Sequence, residues 1–302
     1  MAVQLHVAHS ALVRGAGVLA AGPYYCAQSS AWRARYNCMN PGTWTPLPPV
    51  ALLVSATEAL AARERIDPTA HLLSARIWLF SGQRDGTVYQ EVVEALRDYY
   101  RNWVPASQLA FIRDLPAGHA MVTADFGGPC SVTAAPYVND CDFDAAGTLL
   151  QHVYGPLIPP SPQAAGALLR FDQREFTDET PYRISLDDDG FAYIPAVCQT
   201  GGCRVHVAFH GCDQGREAVG DQFVRHAGYN RWADTNRIVV LYPQAISRFG
   251  WGPWPWPSSF VLNPAGCWDW WGYTGSDYAT KSGAQVRVVK AMLDRLATGP
   301  QP

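Results

Sequence analysis

The chain has 302 residues, 48% of them hydrophobic and only 16% charged, with a net charge of −3. That balance allows a large buried core and disfavours disorder. No basic run points to nucleic acid or an anionic membrane. No stretch approaches roughly 18 uninterrupted apolar residues, so no membrane-spanning helix is expected.

The chain opens in a helix-like pattern, with Ala2, Val3, Leu5, Val7, Ala8, Ala11 and Leu12 apolar and no N-cap signal before them. Gly15 to Ala21 reads as a short strand, followed by a loop rich in Pro, Tyr and Cys through Trp44. Ser55 and Glu58 have the spacing of a capping box, which predicts a helix from there to about Arg65. Ala75–Phe80 reads as a buried strand, Val88–Trp103 as a helix, Gln108–Ile112 as a strand and Asp144–Val153 as a helix. Beyond Gly155 a Pro-rich connection leads to strands near Leu169–Phe171 and Phe191–Ile194, expected to be antiparallel across the turn-rich Asp187–Gly190. Val205–Phe209 and Ile238–Tyr242 are β-branched runs of the buried parallel type. A helix over Phe223–Asp234 separates them, and a long helix from about Ser276 to Leu296 follows. Alternating strands and helices predict an α/β fold with a mostly parallel sheet flanked by helices, with residues 1–302 as a single domain.

Eight cysteines are scattered along the chain: Cys26, Cys38, Cys130, Cys141, Cys198, Cys203, Cys212 and Cys267. An even number without paired CxxC spacing reads as four disulfides rather than a zinc site, and so as an oxidising compartment and a secreted protein. Local spacing favours Cys26–Cys38, Cys130–Cys141 and Cys198–Cys203, leaving Cys212–Cys267, although spacing alone does not fix connectivity. Eight buried thiols in a cytosolic protein are the alternative. Met1 to Val13 lacks the basic n-region of an export signal, and His6 and His9 interrupt its apolar run. A truncated start is therefore expected.

Three motifs follow strand-like runs, where open parallel sheets collect catalytic groups. In FSGQRDGTV, Asp85 is presented after a strand and a glycine. It reads as a triad aspartate, or equally as a turn or capping residue. In PAGHA, His119 follows a glycine on a post-strand loop and suits a general base. In VAFHGCDQ, a strand ends in His-Gly, a turn that supplies an oxyanion-hole amide in α/β hydrolases, assigned here to Cys212. Cys212 as a nucleophile is the weaker reading, because no elbow glycines surround it. The elbow pattern G-x-S-x-G occurs nowhere in the chain; Ser81, Ser276 and Ser282 each have one glycine nearby but not the full pattern.

Trp251, Trp254, Trp256, Trp268, Trp270 and Trp271 crowd one region, stiffened by Pro253, Pro255 and Pro257. Packing is the simpler reading for any one of them. The cluster as a whole leans toward an apolar surface, with Trp268, Trp270 and Trp271 as candidate substrate contacts.

At the segments MAVQLHVAHS, AAGPYYCAQ, YNCMNP, FSGQRDGTV, AGHAMVT, FHGCDQG, RIVVLYPQA and NPAGCWDWWGYTG the chain resembles the extracellular poly(3-hydroxybutyrate) depolymerases. More narrowly, it resembles their circularly permuted, type 2 catalytic domain within the α/β-hydrolase superfamily. The resemblance implies Asp85 and His119 as triad members and Cys212 as an oxyanion-hole amide. It implies a nucleophile elbow just before the segment matching Met1, absent here, so the chain as given is expected to be inactive. Hydrolysis of short-chain-length polyhydroxyalkanoate through an acyl-enzyme is implied, with no cofactor or metal. The implied partners are a polyester surface and hydroxyalkanoate oligomers, not nucleic acid or membrane, and a monomer is expected. A secreted feruloyl or acetyl esterase and a non-catalytic polyester-binding protein are the rival readings. The missing piece would include a central strand. Its loss would leave a gap of roughly 10 Å, twice the strand spacing, between the Gly15–Ala21 and Val205–Phe209 strands.

Overall fold

The computed structural model describes residues 1–251 and 260–298. Its strands form two principal sheets. In the first, Gly15–Leu19, Arg76–Phe80 and Leu109–Ile112 pair in parallel in that order. In the second, the order is Ala167–Asp172, Asp189–Ile194, Ile238–Tyr242, Arg204–Val207. The first two junctions of that sheet are antiparallel and the last is parallel. The fold is thus mixed α/β in two small sheets, where a mostly parallel sheet was expected.

Alternation along the strands builds a core on each face. Ile77 and Leu79 face one cluster with the helices Ala2–Ala8, Gln90–Tyr100 and Ala284–Thr298. Trp78 and Phe80 face the other, with the helices Ala145–Tyr154 and Tyr229–Asn236. Asp144 starts its helix as expected: its side chain accepts from the Gly147 N–H at 2.7 Å and from the Trp232 indole N–H at 2.7 Å.

Several element boundaries differ from expectation. The helix predicted from Ser55 begins earlier and spans Val50–Ala62. Ser55 lies inside it, and its hydroxyl donates back to the Ala51 carbonyl at 2.9 Å, so the capping-box spacing is coincidental. The helix expected over Phe223–Asp234 is two, Gln222–His226 and Tyr229–Asn236. They break at Gly228, whose φ of +92° is open to glycine at little cost. The last helix starts only at Ala284, after a run of turns. A small parallel sheet of Met121–Thr123, Val138–Asp140 and Gly128–Pro129 carried no periodic signal, being only two or three residues per strand.

Between the two principal sheets lies a slot. Gly15–Leu19 ends one sheet and Arg204–Val207 ends the other; among the described residues neither pairs with a strand on its outer side. Both edges line a cavity of about 680 Å³. At its far end Tyr154 hangs over the Arg204 edge, its hydroxyl donating to the Val205 carbonyl at 3.2 Å.

Candidate active site

The three cysteine pairs favoured by spacing, Cys26–Cys38, Cys130–Cys141 and Cys198–Cys203, are disulfides, and so is the remaining pair, Cys212–Cys267. Three of them tie down loops at one end of the slot, where Cys26, Cys38 and Cys212 line the wall and the Cys130–Cys141 loop backs His119.

Asp85 sits in the turn after the strand Arg76–Phe80. Its Oδ1 accepts the Thr87 and Val88 amides at 2.8 and 2.9 Å, so the turn reading of Asp85 is correct for one oxygen. Its Oδ2 lies 2.8 Å from His119 Nδ1. The carboxylate is 1% exposed and the imidazole 30%. Both carboxylate oxygens are thus engaged by protein partners. With Nδ1 donating to Asp85, His119 presents Nε2 as an acceptor. Among the described residues that nitrogen has no partner, and His119 lines the slot.

Two glycines make this approach possible. A Cβ on Gly82 would stand 2.1 Å from the Ala117 carbonyl oxygen, where the Asp85 loop runs against the His119 loop. Between them pass the bonds Gln83 N–H to Leu115 O, 2.8 Å, and Arg84 N–H to Ala117 O, 3.0 Å. A Cβ on Gly118 would stand 2.6 Å from the Val132 carbonyl oxygen. The His119 amide is itself fixed by donation to Thr133 Oγ1 at 2.8 Å.

Cys212 lines the same cavity from the other sheet, after Arg204–Val207. Among the described residues its amide N–H makes no hydrogen bond. Its loop is held by the bridge to Cys267 and by His210. Burial pushes His210 down to about 4, so it is neutral near pH 7. Its Nε2 accepts the Ala245 N–H at 3.0 Å, which leaves the proton on Nδ1 to donate to the Gly211 carbonyl at 2.7 Å. Gln214, quoted in the sequence motif without a role, is also buried here.

The tryptophans divide. Trp268 is 4% exposed, packed edge-on to Phe209 and beside His210. Its burial agrees with the packing reading of a single tryptophan. Trp268 and Trp270 line the slot, whereas half-buried Trp271 stacks edge-on to Trp270 and Tyr273. Trp254 and Trp256 lie outside the described residues, as does the Trp251 side chain. Exposed aromatic surface instead appears on the helix Ala31–Asn37 and the turn after it. Trp44 is 94% exposed, and Trp32 stacks on Tyr36 with ring centres 4.2 Å apart. Ser81 is fully buried, and among the described residues its hydroxyl has no hydrogen-bond partner, His119 included. Among the described residues no group of three or more His, Cys, Asp or Glu side chains is arranged to hold a metal ion, and no helix is long and apolar enough to cross a membrane.

No protein-family model matches the chain. Two characterised proteins do. A poly(3-hydroxybutyrate) depolymerase of Delftia acidovorans is 44% identical over 305 residues, covering 99% of this chain. The chain spans 58% of that relative's length. A polyhydroxybutyrate depolymerase of Talaromyces funiculosus is 32% identical over 309 residues, covering all of this chain and 87% of the relative. The crystal structure of the PHB depolymerase from Penicillium funiculosum superposes with a TM-score of 0.86 at 30% identity, over 99% of this chain and 92% of that one. A serine-to-alanine variant of a PHB depolymerase, solved in complex with an R3HB trimer, matches equally well. With identity sustained along the whole chain and a matching fold, the protein belongs to the poly(3-hydroxybutyrate) depolymerase family.

Proposed function

We propose that this protein is a secreted serine esterase that cleaves poly(3-hydroxybutyrate) and its oligomers through an acyl-enzyme, with residues 1–302 forming one catalytic domain of permuted α/β-hydrolase order. The observation that carries the reading is the Asp85–His119 pair at one end of the slot, shared with the unpaired Cys212 amide. No serine in an elbow pattern exists in these 302 residues. The slot is the seat of one further strand, and that strand carries the nucleophile. The helix Ala2–Ala8 supports this placement. Its first turn lines the same cavity, with Met1 and Gln4 on the wall and Gln4 Nε2 donating to the Asp269 carbonyl at 3.4 Å. A strand, a sharp turn bearing serine, and that helix reproduce the elbow.

In this mechanism the serine hydroxyl attacks an ester carbonyl while His119 Nε2 takes its proton. Asp85 holds the imidazole in the required tautomer and stabilises the imidazolium. The Cys212 amide and the amide following the serine donate to the oxyanion, a term worth roughly 10²–10³ in rate per donor. His119 then protonates the leaving hydroxyl, and water repeats the cycle in reverse to free the hydroxyacid. Four disulfides support an extracellular setting.

Trp32, Tyr36 and Trp44 form the face that meets the solid polymer. Trp32 and Tyr36 lie on the helix Ala31–Asn37 inside the Cys26–Cys38 loop and Trp44 follows it, and large exposed rings close in sequence mark contact surfaces. The test uses the full-length protein. Trp44→Ala is expected to weaken adsorption to polymer film and slow film erosion while soluble oligomer hydrolysis and melting temperature stay unchanged. Equal film and oligomer rates in the variant and wild type would remove this face from the mechanism. Hydrolysis of feruloyl esters in preference to hydroxybutyrate oligomers would remove the substrate assignment.

A further inference from the structure

We propose that Gln214 is a positioning residue whose side-chain amide sets the distance between the Cys212 oxyanion loop and the His119 loop across the slot. The inference rests on the serine-esterase reading of the site.

Gln214 is buried, 5% exposed, on the wall of the slot. Its Oε1 accepts the Gly211 N–H at 2.7 Å, and its Nε2 donates to the Tyr137 carbonyl at 2.7 Å. The Gly211 N–H can only donate and the Tyr137 carbonyl only accept, so the orientation of the amide is fixed by its partners. Gly211 directly precedes Cys212 on the loop that follows one sheet. Tyr137 belongs to the other side. Its carbonyl also accepts the Met121 N–H at 2.8 Å, two residues beyond His119. Tyr137 holds a φ of +56°, uncommon for a tyrosine, and that backbone turn aims the carbonyl at both donors. One side chain thus spans the two loops that must share a reacting carbonyl.

Only an amide does both tasks at neutral pH. A carboxylate at this position keeps the bond from Gly211 but faces the Tyr137 oxygen with a second acceptor. Protonated, it regains a donor. A misplacement of about 1 Å between catalytic groups costs on the order of 10²-fold in rate, so partial loosening is expected to cost about 10- to 100-fold in kcat. Substrate binding on the rim is untouched, so KM stays near wild type.

The experiment compares Gln214→Glu and Gln214→Leu with wild type in the full-length protein, using a soluble hydroxybutyrate trimer and a fluorophosphonate probe. The expected result is a lower kcat for both near pH 8, with the Gln214→Glu deficit shrinking as pH falls toward 5 and the Gln214→Leu deficit constant. Gln214→Leu loses the same bonds without adding a charge, so its constant ratio to wild type is the control for a loss of packing alone. Wild-type kcat in both variants, or a Gln214→Glu ratio independent of pH, overturns the inference. Should Gln214→Leu fail to fold, the pH ratio of Gln214→Glu still decides. Failure of wild type to hydrolyse the trimer or take the probe overturns the serine-esterase reading first, and the two failures are distinguished by that control.

Discussion

Asp85→Asn separates the two tasks of one buried side chain. Asn can keep Oδ1 on the Thr87 and Val88 amides, so the turn survives. Its NH₂ then stands where Oδ2 now lies, 2.8 Å from His119 Nδ1. A donor there requires Nδ1 to accept, which moves the imidazole proton to Nε2 and removes the base. In a Ser-His-Asp protease the same change lowers kcat about 10⁴-fold, equivalent to about 5 kcal/mol of barrier at ~1.4 kcal/mol per decade. The assay is kcat on soluble hydroxybutyrate trimer with the full-length protein, next to a thermal melt. Asp85→Ala serves as contrast. It leaves the Thr87 and Val88 amides without their acceptor, at about 1–3 kcal/mol for each buried donor, so it should lose both activity and stability. Asp85→Asn within tenfold of wild-type kcat would refute the role given to the Asp85–His119 pair.

Gly82→Ala should destabilise by about 1–3 kcal/mol, because its Cβ would meet the Ala117 oxygen at 2.1 Å and wedge the Asp85 loop from the His119 loop; denaturant melts and kcat should fall together. Cys212→Ser with Cys267→Ser opens a 55-residue closure, worth about 4 kcal/mol in chain entropy, and should lower the melting temperature and the acylation rate. Stability should decline in acid below about pH 6.5. Burial lowers His6 and His210 to about 4 in the folded state, so both are neutral there and protonate first in the unfolded chain. Their contribution is present above the unfolded value and lost as pH falls toward 4, at up to about 1.4 kcal/mol per pH unit for each histidine. Urea melts at pH 7 and 5 read it, and a flat profile would contradict the buried neutral assignment.

Much of the fold follows from local pattern. Ile238–Tyr242 and Arg76–Phe80 are short apolar runs bounded by turn residues, and both are strands close to the expected limits. Asp144 caps its helix because an aspartate before an apolar periodic run has one obvious task. The elements that misled are those decided by neighbours. Ser55 spends its hydroxyl on its own helix, and Gly228 breaks a helix where its chain passes close to Ala146. The approach of Asp85 to His119 was visible only as two motifs in a plausible chain order. What joins them is the Gly82 contact with Ala117, a long-range packing fact with no sequence period. Trp268 is buried, as the packing reading of a single ring expects, but composition cannot say which rings of a cluster find a core. Gln214 carried no signal beyond its place in the His-Gly motif, since its partner Tyr137 lies 77 residues away.

The most direct test of the central claim is to label the full-length protein with a fluorophosphonate and map the adduct by mass spectrometry. The expected adduct is on a serine outside the 302 residues, within a G-x-S-x-G sequence, and His119→Ala abolishes it. An adduct on any residue of this chain, or hydrolysis of hydroxybutyrate trimer by the 302 residues alone, would contradict the account.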